Sequence, residues 1–296
     1  MALVYGLTGN TTNDALWAPV ADLIADLDAR GQAVRLHPDV AAGLAGRGLI
    51  GAERAAALAS DDLPRDATML LSFGGDGTML RTARLSGGHA TPILGVNVGR
   101  LGFLATVEVG GVADALEAVE AGTATIEERL TLDVRLDGET PADLPAWALN
   151  DVVVDKSGTT SMIQVEAELD GRPLNTYWAD GLVVATPTGS TAYALSVGGP
   201  IVMPGTDGVV VAPIAPHTLT ARPVVLPSGA ELCLRVVTRG HPIAFAVDGV
   251  SVELPADPPA IRIRRSAHRV RLVQLPGRDF FSAVRDKLSW GRGGVF

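Results

Sequence analysis

Five residues, Met69-Leu70-Leu71-Ser72-Phe73, form an apolar run that breaks abruptly into Gly74-Gly75-Asp76-Gly77. A short, nearly continuous apolar run of this kind suits a strand buried on both faces of a parallel sheet. Behind it, Met79, Leu80, Ala83 and Leu85 predict a helix with one apolar face. Strand, glycine turn and helix in that order bring bare backbone N–H groups and the positive end of a helix dipole to one turn, with Thr78 as the expected cap. Asp76 is the only ionisable group there, so the turn suits a phosphate with a base beside it. The same four residues also make an ordinary tight turn with an Asx cap, and the turn by itself leaves both readings open.

The residues around this turn predict more units of the same kind. Residues 3–7 read as a strand, Leu16, Val20, Leu23, Ile24 and Leu27 as one face of a helix closed by Gly31, and residues 33–36 as a second strand. Residues 52–58 read as helix, 93–96 as a fourth strand, and Val112, Leu116 and Val119 as a helix closed by Gly122. Strands alternating with helices predict an α/β domain with a parallel sheet, in which ligands bind beyond the carboxyl ends of strands. The Asp76 turn lies at such an end, and so does Asn97-Val98-Gly99-Arg100-Leu101-Gly102-Phe103-Leu104, whose glycines again bare the backbone.

Beyond Thr123 the period changes. Leu132, Val134 and Leu136 alternate, as do Val165, Ala167 and Leu169, then Leu232, Leu234 and Val236, then Ile261 and Ile263, with turns such as Asp137-Gly138 and Asp170-Gly171 between runs. Short strands with such turns predict an all-β, sandwich-like domain. The expected division is an α/β domain at 1–122, a β-rich domain at 123–275 and a tail at 276–296. In the tail, Phe280, Phe281, Val284 and Leu288 share a helical face that we expect to pack back on the α/β domain. Residues 141–145, with a proline at each end, are the expected flexible loop.

Composition narrows the partners. The 296 residues are 47% hydrophobic and only 4% aromatic, with 34 glycines, which describes a globular chain long enough for two cores. A formal charge of −9 argues against a nucleic-acid surface. No apolar run reaches the roughly 18–20 residues of a membrane span, and Met1-Ala2-Leu3-Val4-Tyr5 has no basic start, so a soluble, cytoplasmic protein without membrane contact is expected. Cys233 is the one cysteine, which excludes an internal disulfide and a cysteine-cluster metal site, and its apolar neighbours mark it as structural. The five histidines stand at no ligand spacing, so no protein-built metal site is expected. The chain carries no G-x-S-x-G, no G-x-x-x-x-G-K-[ST] and no G-x-G-x-x-G after its first strand. The arginines of residues 262–271 alternate with apolar residues and read as an exposed strand face.

A second informative stretch is Asp180-Gly181-Leu182-Val183-Val184-Ala185-Thr186-Pro187-Thr188-Gly189-Ser190-Thr191-Ala192-Tyr193-Ala194-Leu195-Ser196. It runs from a carboxylate through a buried strand into small hydroxyl residues and glycine, which suits the edges of a base, ribose or phosphate, with Tyr193 as a stacking face. A capped strand-to-helix turn is the plainer alternative. Asn150-Asp151, before the strand Val152-Val153-Val154, pairs an amide with a carboxylate that can hold a ribose diol, or is a strand-entry turn.

Taken together and in this order, Gly74-Gly75-Asp76-Gly77-Thr78, the 97–104 turn, Asn150-Asp151 and the 180–196 run resemble the NAD kinases over nearly the whole chain. The first motif is shared with diacylglycerol and sphingosine kinases and with phosphofructokinases, whereas Thr-Pro-Thr-Gly-Ser-Thr-Ala-Tyr is much more specific. The resemblance implies a phosphofructokinase-like α/β domain, a β-sandwich-like domain, an active site between them and a homodimer or homotetramer. It implies transfer of the ATP γ-phosphoryl group, or one from polyphosphate, to the 2′-hydroxyl of the adenosine ribose of NAD. By the same resemblance Asp76 is the proton acceptor. Gly77, Arg81, Asn150, Asp151, Asp180, Thr191, Ala192, Tyr193 and Ser196 bind NAD, and Gly74, Gly75, Gly77, Thr78 and Asn97 meet the ATP phosphates. Mg²⁺ or another divalent ion is expected to come with the nucleotide.

Three departures from the family pattern bear on affinity. Many relatives have Asn-Glu at Asn150-Asp151, Asp-Gly-Gln at Asp248-Gly249-Val250, and a basic or imidazole residue where this chain has Ser161. Two rival readings share part of the pattern: a lipid or sugar kinase with the same glycine turn, and a dinucleotide sensor without turnover.

Overall fold

The computed structural model describes residues 3–99, 102–277 and 279–289. Its chain divides into two compact units, Met1–Glu128 with Val270–Phe296 and Arg129–Arg269. The divisions fall at 128/129 and 269/270, inside two long strands, whereas the sequence expectation placed them at 122/123 and 275/276. A long strand carries no turn residue to mark where it passes from one unit to the other.

The first unit runs through β1 (Val4–Gly9), α1 (Trp17–Ala29), β2 (Ala33–Leu36), α2 (Pro38–Gly46), α3 (Ala52–Leu58), α4 (Leu63–Asp66), β3 (Met69–Phe73), α5 (Asp76–Ser86), β4 (Ile93–Asn97), β5 (Val107–Glu108) and α6 (Val112–Glu120). Its strands lie parallel in the order β4-β3-β1-β2, with Tyr5 opposite Met69 and Leu70 opposite Ile93. Every residue of β3 and of β4 is buried, as a strand covered on both faces requires. Trp17, Val20, Leu23, Ile24 and Leu27 of α1 are buried at the expected helical spacing, and Gly31 ends that helix with φ +68°. Helix α2 lies in a stretch, Pro38-Asp39-Val40-Ala41-Ala42-Gly43, for which the sequence analysis gives no element. Pro38 at its start suits a first turn, and Nδ1 of His37 accepts the Asp39 N–H at 3.3 Å.

The second unit continues with β6 (Thr125–Leu136), β7 (Trp147–Ala148), β8 (Asp151–Lys156), β9 (Ile163–Leu169), β10 (Arg172–Ala179), β11 (Gly181–Ala185), the one-turn helix α7 (Tyr193–Ser196), β12 (Gly208–Ile214), β13 (Val224–Pro227), β14 (Leu232–Val237), β15 (Ile243–Val247), β16 (Val250–Leu254) and β17 (Ile261–Gln274). One sheet runs β13-β12-β11-β8-β15-β16, and the facing one has the order β10-β9-β14-β17 with β6 on β17 and β7 on β6. Their inner faces share one core, in which Val152, Val154, Leu182, Val184 and Phe245 meet Leu132, Val165, Leu232, Leu234 and Ile261. This is the sandwich-like domain that the alternation predicts. β11 and β12 are buried on both faces because Ala194 and Val202 cover their outer side chains Val183, Ala185, Val210 and Ala212. The hydroxyl-rich stretch therefore lies as a lid on that sheet.

The chain ends its described part in α8 (Phe280–Leu288), within the first unit, but of the expected apolar face Phe281 and Leu288 are exposed and only Val284 is buried. Asp279 and Ser282 form a capping box at its start, and Val284 is fully buried. Most of the arginines of 262–271 are ion-paired: Arg262 with Asp137 and Glu231, Arg264 with Asp133, Arg265 with Asp207 and Arg271 with Glu128. Among the described residues no helix is long and apolar enough to cross a membrane.

Candidate active site

In the first unit the site is built around a carboxylate. Asp76 is the first residue of α5, and the helix is capped by Gly75, not by Thr78 as expected. Thr78 lies two residues inside the helix, donates its N–H to the Gly75 carbonyl at 2.9 Å and is buried. Gly74 is buried too, and its missing side chain makes room for Thr78: a Cβ there would overlap the threonine hydroxyl. Gly75 and Gly77, by contrast, face open space, which is where bare N–H groups can meet a ligand.

The loop after Gly102 turns its backbone toward Asp76. Oδ2 accepts the Phe103 N–H at 2.9 Å, and Oδ1 accepts those of Leu104 and Ala105 at 2.9 and 3.3 Å. A Cβ on Gly102 would overlap Oδ1, so the glycine is bare for the carboxylate. Arg100 and Leu101 of the same turn lie outside the described residues. Asn97 is buried, and its Oδ1 accepts the Gly99 N–H at 2.6 Å, so that oxygen shapes the turn. Lys287 of α8 brings its ammonium to 3.4 Å from Oδ2 of Asp76, a neighbour that no sequence spacing announces. Arg81 instead lines a cleft of about 380 Å³ with Thr8, Thr11, His37, Thr78 and Arg84.

In the second unit the candidate residues gather around Asp248. The Asp248-Gly249 pair makes the β15–β16 turn with φ +48° and +77°. The buried Asp248 carboxylate accepts the N–H groups of Leu149, Asn150 and Asp151 at 2.8, 2.7 and 3.1 Å. It thereby fixes Asn150-Asp151 at the start of β8. From the other side the Asn150 carbonyl accepts the Thr186 N–H at 2.8 Å, and a Cβ on Gly189 would overlap that carbonyl. Asn150 Oδ1 is buried with no donor among the described residues. A buried acceptor left unpaired costs about 1–3 kcal/mol, which a ligand N–H or O–H at that point would recover.

Charge is concentrated here. Asp151 has its carboxyl pushed up to about 7, by burial first and by the neighbouring Asp248 second. Asp155 is raised by burial and by Asp180, and the Tyr193 hydroxyl is raised by burial and then by Asp155, Asp151 and Asp180. Asp180 is paired with Lys156 at 2.6 Å. The hydroxyl residues divide by role. Thr186 donates to the Leu149 carbonyl at 2.5 Å, and Ser190 donates to Pro187 and Val202 carbonyls, so both are spent on holding the loop. Thr191 donates to the Thr188 carbonyl at 3.3 Å, while Tyr193 and Ser196 are exposed and Ala192 half-buried. The structure thus brings Asn150, Asp151, Asp180 and Tyr193 into one acidic neighbourhood and adds Asp155, Lys156 and Asp248 to it.

An α/β unit with a carboxylate on a glycine turn at a helix start, and a β-sandwich unit with a hydroxyl-rich loop, define a two-unit protein of the nucleotide-handling kind. Residues 46–124 match the model of the ATP-NAD kinase N-terminal domain, and residues 149–275 that of the ATP-NAD kinase C-terminal domain. The chain is 39% identical to an NAD kinase of Geobacter sulfurreducens, over 92% of this chain and 93% of that one. It is 42% identical to one of Bacteroides fragilis, over 76% and 77%. The chain belongs to the NAD kinase family. Its fold is similar to that of a yeast NADH kinase complexed with NADH, with TM-score 0.87 and 22% identity over 99% of this chain and 89% of that one. It is also similar to that of an NAD kinase from Archaeoglobus fulgidus in complex with ATP, with TM-score 0.73 and 23% identity over 96% and 99%.

Proposed function

We infer that the protein is an NAD kinase that transfers the γ-phosphoryl group of ATP to the 2′-hydroxyl of the adenosine ribose of NAD. The observation that carries this reading is the Asp76 carboxylate, fixed by three backbone N–H groups at a helix start in a chain of this family. A ribose hydroxyl is a weak nucleophile, and a positioned carboxylate that takes its proton is worth about 10²–10⁴-fold in rate. Gly75 and Gly77, which face open space at the start of the helix, offer the donor phosphates bare N–H groups, with Thr78 packed beneath Gly74.

NAD is held by Gly77, Arg81, Asn150, Asp151, Asp180, Thr191, Ala192, Tyr193 and Ser196, with Arg81 lining the cleft beside Thr78. The unpaired Oδ1 of Asn150 supports a hydrogen bond from a ligand, and the exposed ring of Tyr193 supports stacking. Mg²⁺ or another divalent ion belongs to the ATP substrate in this reading. In this reading the ion comes in on the nucleotide and is held by its phosphate oxygens and by water. A homodimer or homotetramer in the cytoplasm, where NAD and ATP are pooled, completes the proposal. The exposed Trp178 on β10, at the end of its sheet, supports further association.

The test is direct. Purified protein is incubated with NAD, ATP and Mg²⁺ and NADP is measured, with polyphosphate and NADH in parallel. NADP formed at many turnovers per protein is the expected result; NAD bound without NADP from any donor would leave a sensor. Light scattering of the same sample reads the assembly.

A further inference from the structure

A carboxylate offers about four lone-pair positions, and Asp76 has a donor on each. Oδ1 takes the N–H groups of Leu104 and Ala105, and Oδ2 takes that of Phe103 and the ammonium of Lys287. Three of these donors are backbone of one loop and move only with it. The fourth ends a four-carbon stem in the last turn of α8, and its ammonium also lies 4.6 Å from the centre of the Phe103 ring. A carboxylate filled in this way has no lone pair left for a hydroxyl proton.

The geometry points to Lys287 as the residue that governs access to Asp76: its ammonium occupies Oδ2 until the acceptor hydroxyl takes its place. This rests on the reading of Asp76 as proton acceptor. The lysine is the donor that yields, because its contact is the longest of the four at 3.4 Å and the pair is partly open to water, with 28% of the lysine and 31% of the carboxylate side chain exposed. Once Lys287 swings aside, the hydroxyl donates to Oδ2. The ribose oxygen then bonds to the γ-phosphorus, the bond from that phosphorus to the bridging oxygen breaks, ADP leaves with the electron pair, and the hydroxyl proton stays on Asp76. Lys287 takes part in no bond change; it is a positioning residue that competes with the acceptor.

Lys287→Met keeps the stem against Phe103 and removes the charge. With the full chain, saturating ATP and Mg²⁺ and varied NAD, the KM for NAD falls about two- to five-fold, the size expected for losing a partly exposed ion pair, while kcat changes less than KM does. Calorimetric titration with NAD gives a Kd lower by the same factor, and Lys287→Arg, which keeps the charge, retains the higher KM. A tenfold or greater fall in kcat at unchanged KM would instead make Lys287 a partner of the transferred phosphoryl group and overturn the competition. Unchanged KM and Kd would overturn it as well. If the methionine variant melts early, Lys287→Gln is measured in the same way. Absence of NADP from the unaltered chain rejects the kinase reading, whereas unaltered constants in both charge-removing variants reject only the role of Lys287.

Discussion

The carboxylate of Asp76 occupies the space that a side chain on Gly102 would fill. The next three residues then deliver their N–H groups to it, so the position of the acid and the absence of a side chain are one feature. Gly102→Ala forces either the loop or the carboxylate to move. A displacement of about 1 Å at a reacting group costs roughly 10²-fold, and kcat for NADP formation should fall by that order. A melting curve taken alongside separates this from loss of fold.

Asp76→Asn removes the proposed proton acceptor and leaves the residues proposed to bind NAD in the second unit untouched. NAD affinity by calorimetry should stay near that of the unaltered chain, while kcat falls by roughly 10²–10⁴-fold. Equal turnover in this variant would take Asp76 out of the base role.

Asp248 satisfies three backbone N–H groups at the entry to β8. Asp248→Ala leaves them without their acceptor in a buried place, and unfolding in urea should show a loss of roughly 2–4 kcal/mol. NAD affinity should drop with it, because Asn150 and Asp151 lose their register. Asp248→Asn, which keeps one acceptor oxygen, should recover part of both.

Asp151 is an acid whose pKa is raised in the folded state to about 7. Between the ordinary carboxylate range and that value, the folded chain holds a proton that the unfolded chain has lost. The contribution of this group is therefore favourable at low pH and is lost as pH rises toward about 7. Asp151→Asn removes the dependence. Relative to the unaltered chain, the variant should gain stability as pH is raised through this window and gain no more above it, which denaturant titrations at several pH values will read.

Removing residues from Asp279 onward uncovers the surface that the fully buried Val284 occupies. The first unit should melt at lower temperature, by the loss of about 1.5–3 kcal/mol for one such side chain and more for the helix as a whole. Val284→Asp should reproduce most of the effect, and an unchanged melting curve in both would show that α8 does not dock.

Much of the architecture can be read along the chain. The strands at β2 and β3 and the helix α3 coincide with the expected residues, because buried parallel strands leave short apolar runs and helices leave a 3.6-residue period. What the chain concealed is equally specific. Helix α2 is rich in alanine and glycine, and β12, which carries Pro213 near its end, is buried on both faces and does not alternate. The exposed alternation of β10 is too polar to announce a strand. Within the site, the turn at Asp76, Asn150-Asp151 and the 180–196 stretch were all legible, but Thr78 as a cap was not correct, since the helix begins one residue after Gly75 and the threonine is already inside it.

The sequence by itself determined the local pieces: a strand that ends in a glycine turn, an acid at the start of a helix, and a hydroxyl-rich loop after a buried strand. These follow from side-chain period and from the residues that turns require, both of which act over a few positions. Tertiary structure alone decided what the acids can do. Asp76 meets Leu104 across 28 residues and Lys287 across 211, and Asp151 meets Asp248 across 97. Burial and neighbouring charge depend on which distant segments come together, and no short-range pattern records that.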